Sequence, residues 1–323
     1  MHPEYILTTK PMYSSSIVVF IQKVFLMVLG SYLTYYFGAK LTKMMNLEGD
    51  EPCDEIRCNK VAKHFGVSLG NFSDTQKAVL GSVILPTEVK VSFDDLVGLD
   101  ETKDLLKRLL LHKNPKLKRI NGIILYGKPG TGKTMLAKCL AAELKSAFLV
   151  LSINDIENKY YGESGKKLNA FFDVAKMLKP TVVFMDEIDG FGGKRSSLDQ
   201  SHVTNLKNSL LMKMDGILST SEHITFIGAT NRLDSVDEAV KRRMRLHIEV
   251  NLPPPEAISQ LIHKHAKIYP DTELTALCEG MSGSDIEQMC ILGEYEAIKH
   301  NRSDVSLEDL RVAHIAIDTH TGI

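Results

Sequence analysis

The stretch GKPGTGKT, Gly127 to Thr134, constrains this chain more than any other. It follows the apolar run GIILY and precedes the helix-forming run MLAKCLAAEL. Glycine, four residues, then Gly-Lys-Thr between a strand and a helix is the pattern of a phosphate-binding loop. Its glycines let backbone N–H groups curl round phosphate oxygens, and the start of the helix adds positive potential. Lys133 is expected to reach the β- and γ-phosphates and Thr134 to ligate Mg²⁺, with Gly127, Lys128, Pro129, Gly130, Thr131 and Gly132 completing the cradle. A glycine-rich turn can match such a pattern by chance. The strand–loop–helix setting makes that the weaker reading and commits the chain to an α/β fold.

Four more β-rich runs follow, AFLVLS, TVVFMD, ITFIGATN and LHIEV, separated by stretches of helical patterning. Continuous apolar strands alternating with helices predict a parallel sheet covered on both faces. TVVFMDEID ends in Asp186 and Glu187, which puts two carboxylates at the carboxyl edge of that sheet, where such folds bind ligands. Asp186 suits the Mg²⁺ shell and Glu187 suits polarising an attacking water. Adjacent acids at a strand end are commonly a solvated turn, but downstream of a phosphate loop the functional reading prevails. Loop and acid pair together read as a nucleoside triphosphatase that uses Mg²⁺.

Three prolines at 253–255 end the α/β pattern, and the remainder reads as helices, with Ser284 and Glu287 as a capping box. Upstream, the chain turns polar and charged, with SDTQ (Ser73 to Gln76) as a capping box ahead of AVLGSVIL. The expected organisation is a short N-terminal segment (1–16), a transmembrane anchor (17–39), a helical linker (40–91), a large α/β domain (92–252) and a small helical domain (253–323). The anchor rests on Ile17 to Phe37, 21 residues with Lys23 as their one charge. Roughly 20 apolar residues cross a hydrocarbon core of about 30 Å. Tyr32, Tyr35 and Tyr36 crowd one end as interfacial aromatics do, and Lys40 and Lys43 beyond them place the rest of the chain in the cytosol. A cleaved signal peptide has a shorter apolar core, and a buried globular helix carries a polar stripe.

A formal charge of −1 argues against nucleic acid as a partner. Five cysteines without dense spacing fit reduced thiols, and Cys53 and Cys58, the one close pair, read as plain thiols. His263 and His265 lack a ligand cluster around them and read as helix-surface residues.

In this order and spacing, GKPGTGKT, VVFMDEID, GATNR, EAVKRRM and GMSGSD resemble the AAA ATPase module over about residues 91–301. The resemblance implies Asn231 as a polar sensor that helps orient the water. It implies Arg242 and Arg243 as arginine fingers reaching the γ-phosphate of a neighbouring subunit in trans, and hence a homo-hexameric ring. DDLVGLD, with Val97 and Gly98, is implied to line the adenine pocket, and Gly283 to touch the base. KYYGES (159–164) is implied to face the central pore, where Tyr160 and Tyr161 grip a translocating polypeptide. GGKRSSLDQSHVT is similar to the second pore loop, with His202 as a further contact. The bland alternatives are surface charge for the arginines, and one buried and one wet ring for the tyrosines.

The span, linker and single module together resemble the membrane-anchored, thorase-like dislocases of the mitochondrial outer membrane and peroxisomes. That resemblance implies a single-pass membrane protein with its ATPase domain in the cytosol, threading mistargeted tail-anchored proteins out of the bilayer. Departures are Tyr160 where the family has tryptophan, Lys128 where it has proline, a short stretch between GLDE and GIILYG, and little chain after SLEDLRVAHIAI. A microtubule-severing AAA ATPase is the nearest alternative, although residues 40–91 leave little room for a microtubule-interacting domain. A nucleotide-binding scaffold is the second, and intact Lys133, Asp186, Glu187 and Asn231 weigh against it.

Overall fold

The computed structural model describes residues 54–110, 120–152, 164–192, 200–220 and 223–321. The expected anchor lies outside them, and among the described residues no helix is long and apolar enough to cross a membrane. The five β-rich runs form β1 (Gly122–Tyr126), β2 (Ala147–Val150), β3 (Thr181–Met185), β4 (Ile224–Thr230) and β5 (Leu246–Glu249). They make one sheet in the order β2-β3-β4-β1-β5, and every pairing is parallel. The P-loop α/β fold read from the sequence is present.

Side chains along a strand alternate between faces, and here both faces are dry. Ile124, Val183 and Met185 join one apolar cluster with Leu168, Phe171 and Phe172, whereas Ile123, Leu125, Val182 and Phe184 join another with Leu136 and Leu140. That is why the strands read as unbroken apolar runs. The chain preceding the sheet contributes to these layers. Helix α1 (Glu55–Phe65) and helix α2 (Asp74–Gly81) bury Cys58, Val61 and Leu80 in the first cluster. Ile84 bridges antiparallel to Phe148 and so covers the exposed edge of β2. Glu88 accepts hydrogen bonds from Arg57 Nη2 at 2.6 Å and Lys60 Nζ at 2.7 Å, tying α1 to the segment that enters the α/β body. The Ser73–Gln76 capping box starts α2 as expected.

Between the strands run α3 (Asp100–Leu110), α4 (Lys133–Glu143), α5 (Ser164–Met177), α6 (Gln200–Thr220) and the short α7 (Glu238–Arg243). The small helical domain follows as α8 (Pro255–Ala266), α9 (Thr272–Leu277), α10 (Gly283–Lys299) and α11 (Leu307–Thr321). It has its own core of Ile258, Ile262, Ile286, Met289 and Leu310.

Two sequence expectations fail here. The cap of α10 is Ser282, paired with Asp285, not Ser284 with Glu287. The helix starts two residues early because the Ser284 N–H is already used, donating to Gly130 O at 3.2 Å. Cys58 is disulfide-bonded, with its partner outside the described residues, while Cys139, Cys278 and Cys290 are free thiols. Spacing along the chain says nothing about whether two sulfurs come within bonding distance, and that distance decides the matter.

Candidate nucleotide site

A parallel sheet brings all its carboxyl ends to one edge, and the order β3-β4-β1 makes three of those ends neighbours. From β1 emerges the glycine-rich loop, from β3 Asp186 and Glu187, and from β4 Asn231. They line one cleft of about 690 Å³, a size suited to a small-molecule ligand. Its floor is Pro129 to Thr134, at the N-terminus of α4, where unpaired backbone N–H groups favour anions. Val97 lies on its wall with Leu96, Pro253 and Leu261, which give the far end an apolar surface.

Two glycines permit this construction. Gly130 has φ +74°, and a Cβ there would sit 2.3 Å from Ser282 Oγ. The loop can therefore press against the N-terminus of α10, which carries Gly283 into the cleft wall. Gly98 has φ +77°, and its Cβ would fall 2.6 Å from that of Ala257, so the segment beside Val97 lies flat on α8. Gly98 itself is outside the lining of the cleft, as are Gly127 and Lys128.

Gly127 and Lys128 serve the site through their carbonyls. Lys133 Nζ donates to Gly127 O at 2.8 Å and to Lys128 O at 2.7 Å. Burial holds this ammonium below its ordinary pKa, with Asp186 pulling the other way. A phosphate would supply the counter-charge that two neutral carbonyls do not. Asp186 Oδ2 accepts from the Thr134 hydroxyl at 3.3 Å, and Oδ1 accepts the Glu187 N–H at 3.0 Å. Hydroxyl and carboxylate are hard oxygen donors. Among the described residues no group of three or more His, Cys, Asp or Glu could hold a metal. The hydroxyl–carboxylate pair fits Mg²⁺, which takes one or two protein oxygens and draws the rest from phosphate and water.

Glu187 has φ +48°, a strained conformation for a residue with a side chain, and its carbonyl accepts the Gly190 N–H at 2.9 Å. The turn Ile188–Gly192 thus leaves β3 sharply, with both acids exposed to the cleft.

The two arginines at the end of α7 are outside the cleft of their own chain and differ from each other. Arg243 Nε donates to Asp215 Oδ1 at 2.8 Å, its Nη2 to Asp215 Oδ2 at 2.5 Å and its Nη1 to Ala239 O at 2.8 Å. It is fastened to α6. Arg242 is exposed. Tyr160 and Tyr161 lie outside the described residues, and His202 is described only as part of α6.

Lys264, His265 and Glu287 are among the polar cleft residues that had no reading as site residues in the sequence. Lys264 Nζ donates to Asp95 O at 2.9 Å, joining α8 to the segment before Val97. His265 Nδ1 is 3.9 Å from Glu287 Oε1, and all three side chains border the cleft. His263, by contrast, stacks on Tyr269 with ring centroids 3.9 Å apart. A signal existed in HKHAK on the helix after the triple proline, but spacing alone did not tell which histidine faced the cleft.

The profile of the ATPase family associated with various cellular activities (AAA) matches residues 123–254. The outer mitochondrial transmembrane helix translocase of Xenopus tropicalis is 30% identical over 278 residues, which is 80% of this chain and 77% of that protein. The chain belongs to the AAA ATPase family. Fidgetin-like protein 1 of Caenorhabditis briggsae is 28% identical to this AAA ATPase over 290 residues, 83% of the chain and 47% of the relative, so the chain spans about half the length of that protein. The crystal structure of the FIGL-1 AAA domain in complex with ADP superposes with a TM-score of 0.64 at 25% identity, covering 76% of this chain and 91% of that one. Membership of the family implies nucleotide binding, and that structural neighbour is bound to ADP.

Proposed function

We propose that this AAA ATPase hydrolyses ATP with Mg²⁺ in a homo-hexameric ring, and uses the cycle to thread tail-anchored proteins out of the mitochondrial outer membrane. The observation that carries hydrolysis is the convergence of Lys133, Thr134, Asp186, Glu187 and Asn231 on one cleft. Gly130 to Thr134 bind the phosphates through backbone N–H groups, and Lys133 exchanges its two carbonyl partners for phosphate oxygens. Thr134 and Asp186 would hold Mg²⁺, which would supply charge neutralisation at the phosphates. Glu187 and Asn231 orient the attacking water. Val97 and Gly283 flank the base, with Gly98 fixing the backbone behind Val97.

Arg242 acts on a neighbouring subunit, in keeping with its exposed position outside its own cleft, while Arg243, held by Asp215 and Ala239 O, braces the end of the helix that carries it. Tyr160, Tyr161 and His202 are the contacts to the moving polypeptide, and residues 17–39 anchor the ring to the membrane. The similarity to the named translocase, extending over three quarters of that protein, supports this substrate class. A 20-residue client span prefers the membrane by roughly 6–12 kcal/mol at about 0.3–0.6 per residue, which calls for repeated pulls and not a single switch.

The similarity to a fidgetin-like protein favours a second reading, that of a severing ATPase. Purified full-length protein in liposomes bearing a fluorescent tail-anchored protein should release that protein in an ATP-dependent way, and should leave stabilised microtubules whole. Shortened microtubules with no release would reverse the ranking.

A further inference from the structure

Thr230 is the last residue of β4 and is only 2% exposed. It does not border the nucleotide cleft. Its hydroxyl donates to Asp189 Oδ1 at 2.7 Å and accepts the Arg232 N–H at 3.0 Å. A hydroxyl has one proton to give; Arg232 O at 3.2 Å is the competing acceptor, and the carboxylate at 2.7 Å is the stronger and closer one. The residue straddled by these bonds is Asn231. Asp189 lies two residues after Glu187, in the turn that leaves β3 with Glu187 at φ +48°.

The β3–β4 ladder does not reach these two turns. The register between β3 and β4 runs out at Met185 and Gly228, so Glu187 and Asn231 both lie beyond the last rung of the ladder. The Asp189–Thr230 bond spans that gap where ladder bonds are missing. It joins the turn bearing the proposed base to the strand end bearing the proposed sensor.

We infer that Thr230 and Asp189 are positioning residues, which fix the spacing between Glu187 and Asn231 and thereby set the turnover rate without contributing to nucleotide affinity. This rests on the assignment of Glu187 and Asn231 to the attacking water. A misplacement of about 1 Å in such a pair is worth roughly a hundredfold in rate. Loss of the bond is therefore expected at the level of kcat.

The test uses the full chain carrying Thr230→Val, Thr230→Ser or Asp189→Ala, with Glu187→Gln alongside. Valine keeps the shape of threonine and removes the hydroxyl; serine keeps the hydroxyl. Thr230→Val and Asp189→Ala should each lower kcat by about tenfold or more. KM for ATP and the affinity for a non-hydrolysable ATP analogue should hardly change, and Thr230→Ser should recover most of the turnover. Asp189 is partly exposed, so its variant decides alone if Thr230→Val does not fold. A slow Glu187→Gln enzyme beside Thr230→Val and Asp189→Ala enzymes of undiminished kcat overturns the inference, as does parallel loss of affinity and kcat. Full turnover by Glu187→Gln removes instead the assignment on which it rests.

Discussion

Lys133 carries its charge into a site where 8% of the residue is exposed and two backbone carbonyls are its hydrogen-bond partners. Such partners stabilise an ammonium less than an anion does, and burial accordingly lowers its pKa. In the proposed role, a bound phosphate would supply the missing negative charge and release the carbonyls. Lys133→Ala should therefore lose nucleotide affinity by roughly ten- to a hundredfold, the usual worth of a hydrogen bond to a charged group. Calorimetric titration with ADP, which needs no hydrolysis, reads this directly. Wild-type affinity in the variant would remove Lys133 from the phosphate site. Adjacent residues of one type need not share a role, as the arginines show. Arg243 is spent on Asp215 within its own chain, and Arg242 is not, a distinction that the dipeptide RR could not convey.

At the scale of elements, α1 is held to the body by Glu88, which receives Arg57 and Lys60. The Arg57 guanidinium, helped by Lys60 and the Leu85 N–H, lowers the Glu88 carboxyl to about 2 against the opposing effect of burial. A carboxyl whose pKa falls on folding adds stability above its unfolded value of 4.5, and that contribution disappears as pH drops toward about 2. Glu88→Gln should thus cost about 1 kcal/mol at neutral pH, allowing for the solvent screening of a partly exposed pair. Urea unfolding across a pH series should show the gap between variant and wild type narrowing below pH 4.5. A gap independent of pH would mean that packing, not charge, fastens α1.

The strands were legible because each is apolar on both faces, and the phosphate loop because its spacing has few other uses. What escaped was the direction of side chains on helices of the small domain. His265 and Lys264 border the cleft while His263 packs on Tyr269, and the same pattern along α8 is compatible with several rotations. The cap of α10 moved for a related reason: a contact with Gly130, distant in sequence, consumed the Ser284 N–H.

For the molecule as a whole, one chain brings the glycine-rich loop, Asp186, Glu187 and Asn231 to a single cleft, yet Arg242 lies away from that cleft and exposed. As the proposed finger, Arg242 would have to act on a second copy. Its removal should cost about a thousandfold or more in turnover, the scale on which arginine fingers work, and spare nucleotide affinity. The decisive measurement mixes two inactive variants. Arg242→Ala keeps an intact cleft but has no finger to lend, whereas Glu187→Gln keeps the finger but lacks the base. In a mixed assembly the Arg242 of a Glu187→Gln subunit can enter the cleft of an Arg242→Ala neighbour and complete it. The mixture should therefore hydrolyse ATP faster than either variant alone, and increasingly so as total protein rises, because pairing depends on concentration. Activity equal to the average of the two, at every concentration, would show that each chain completes its own site and that no ring is needed for hydrolysis.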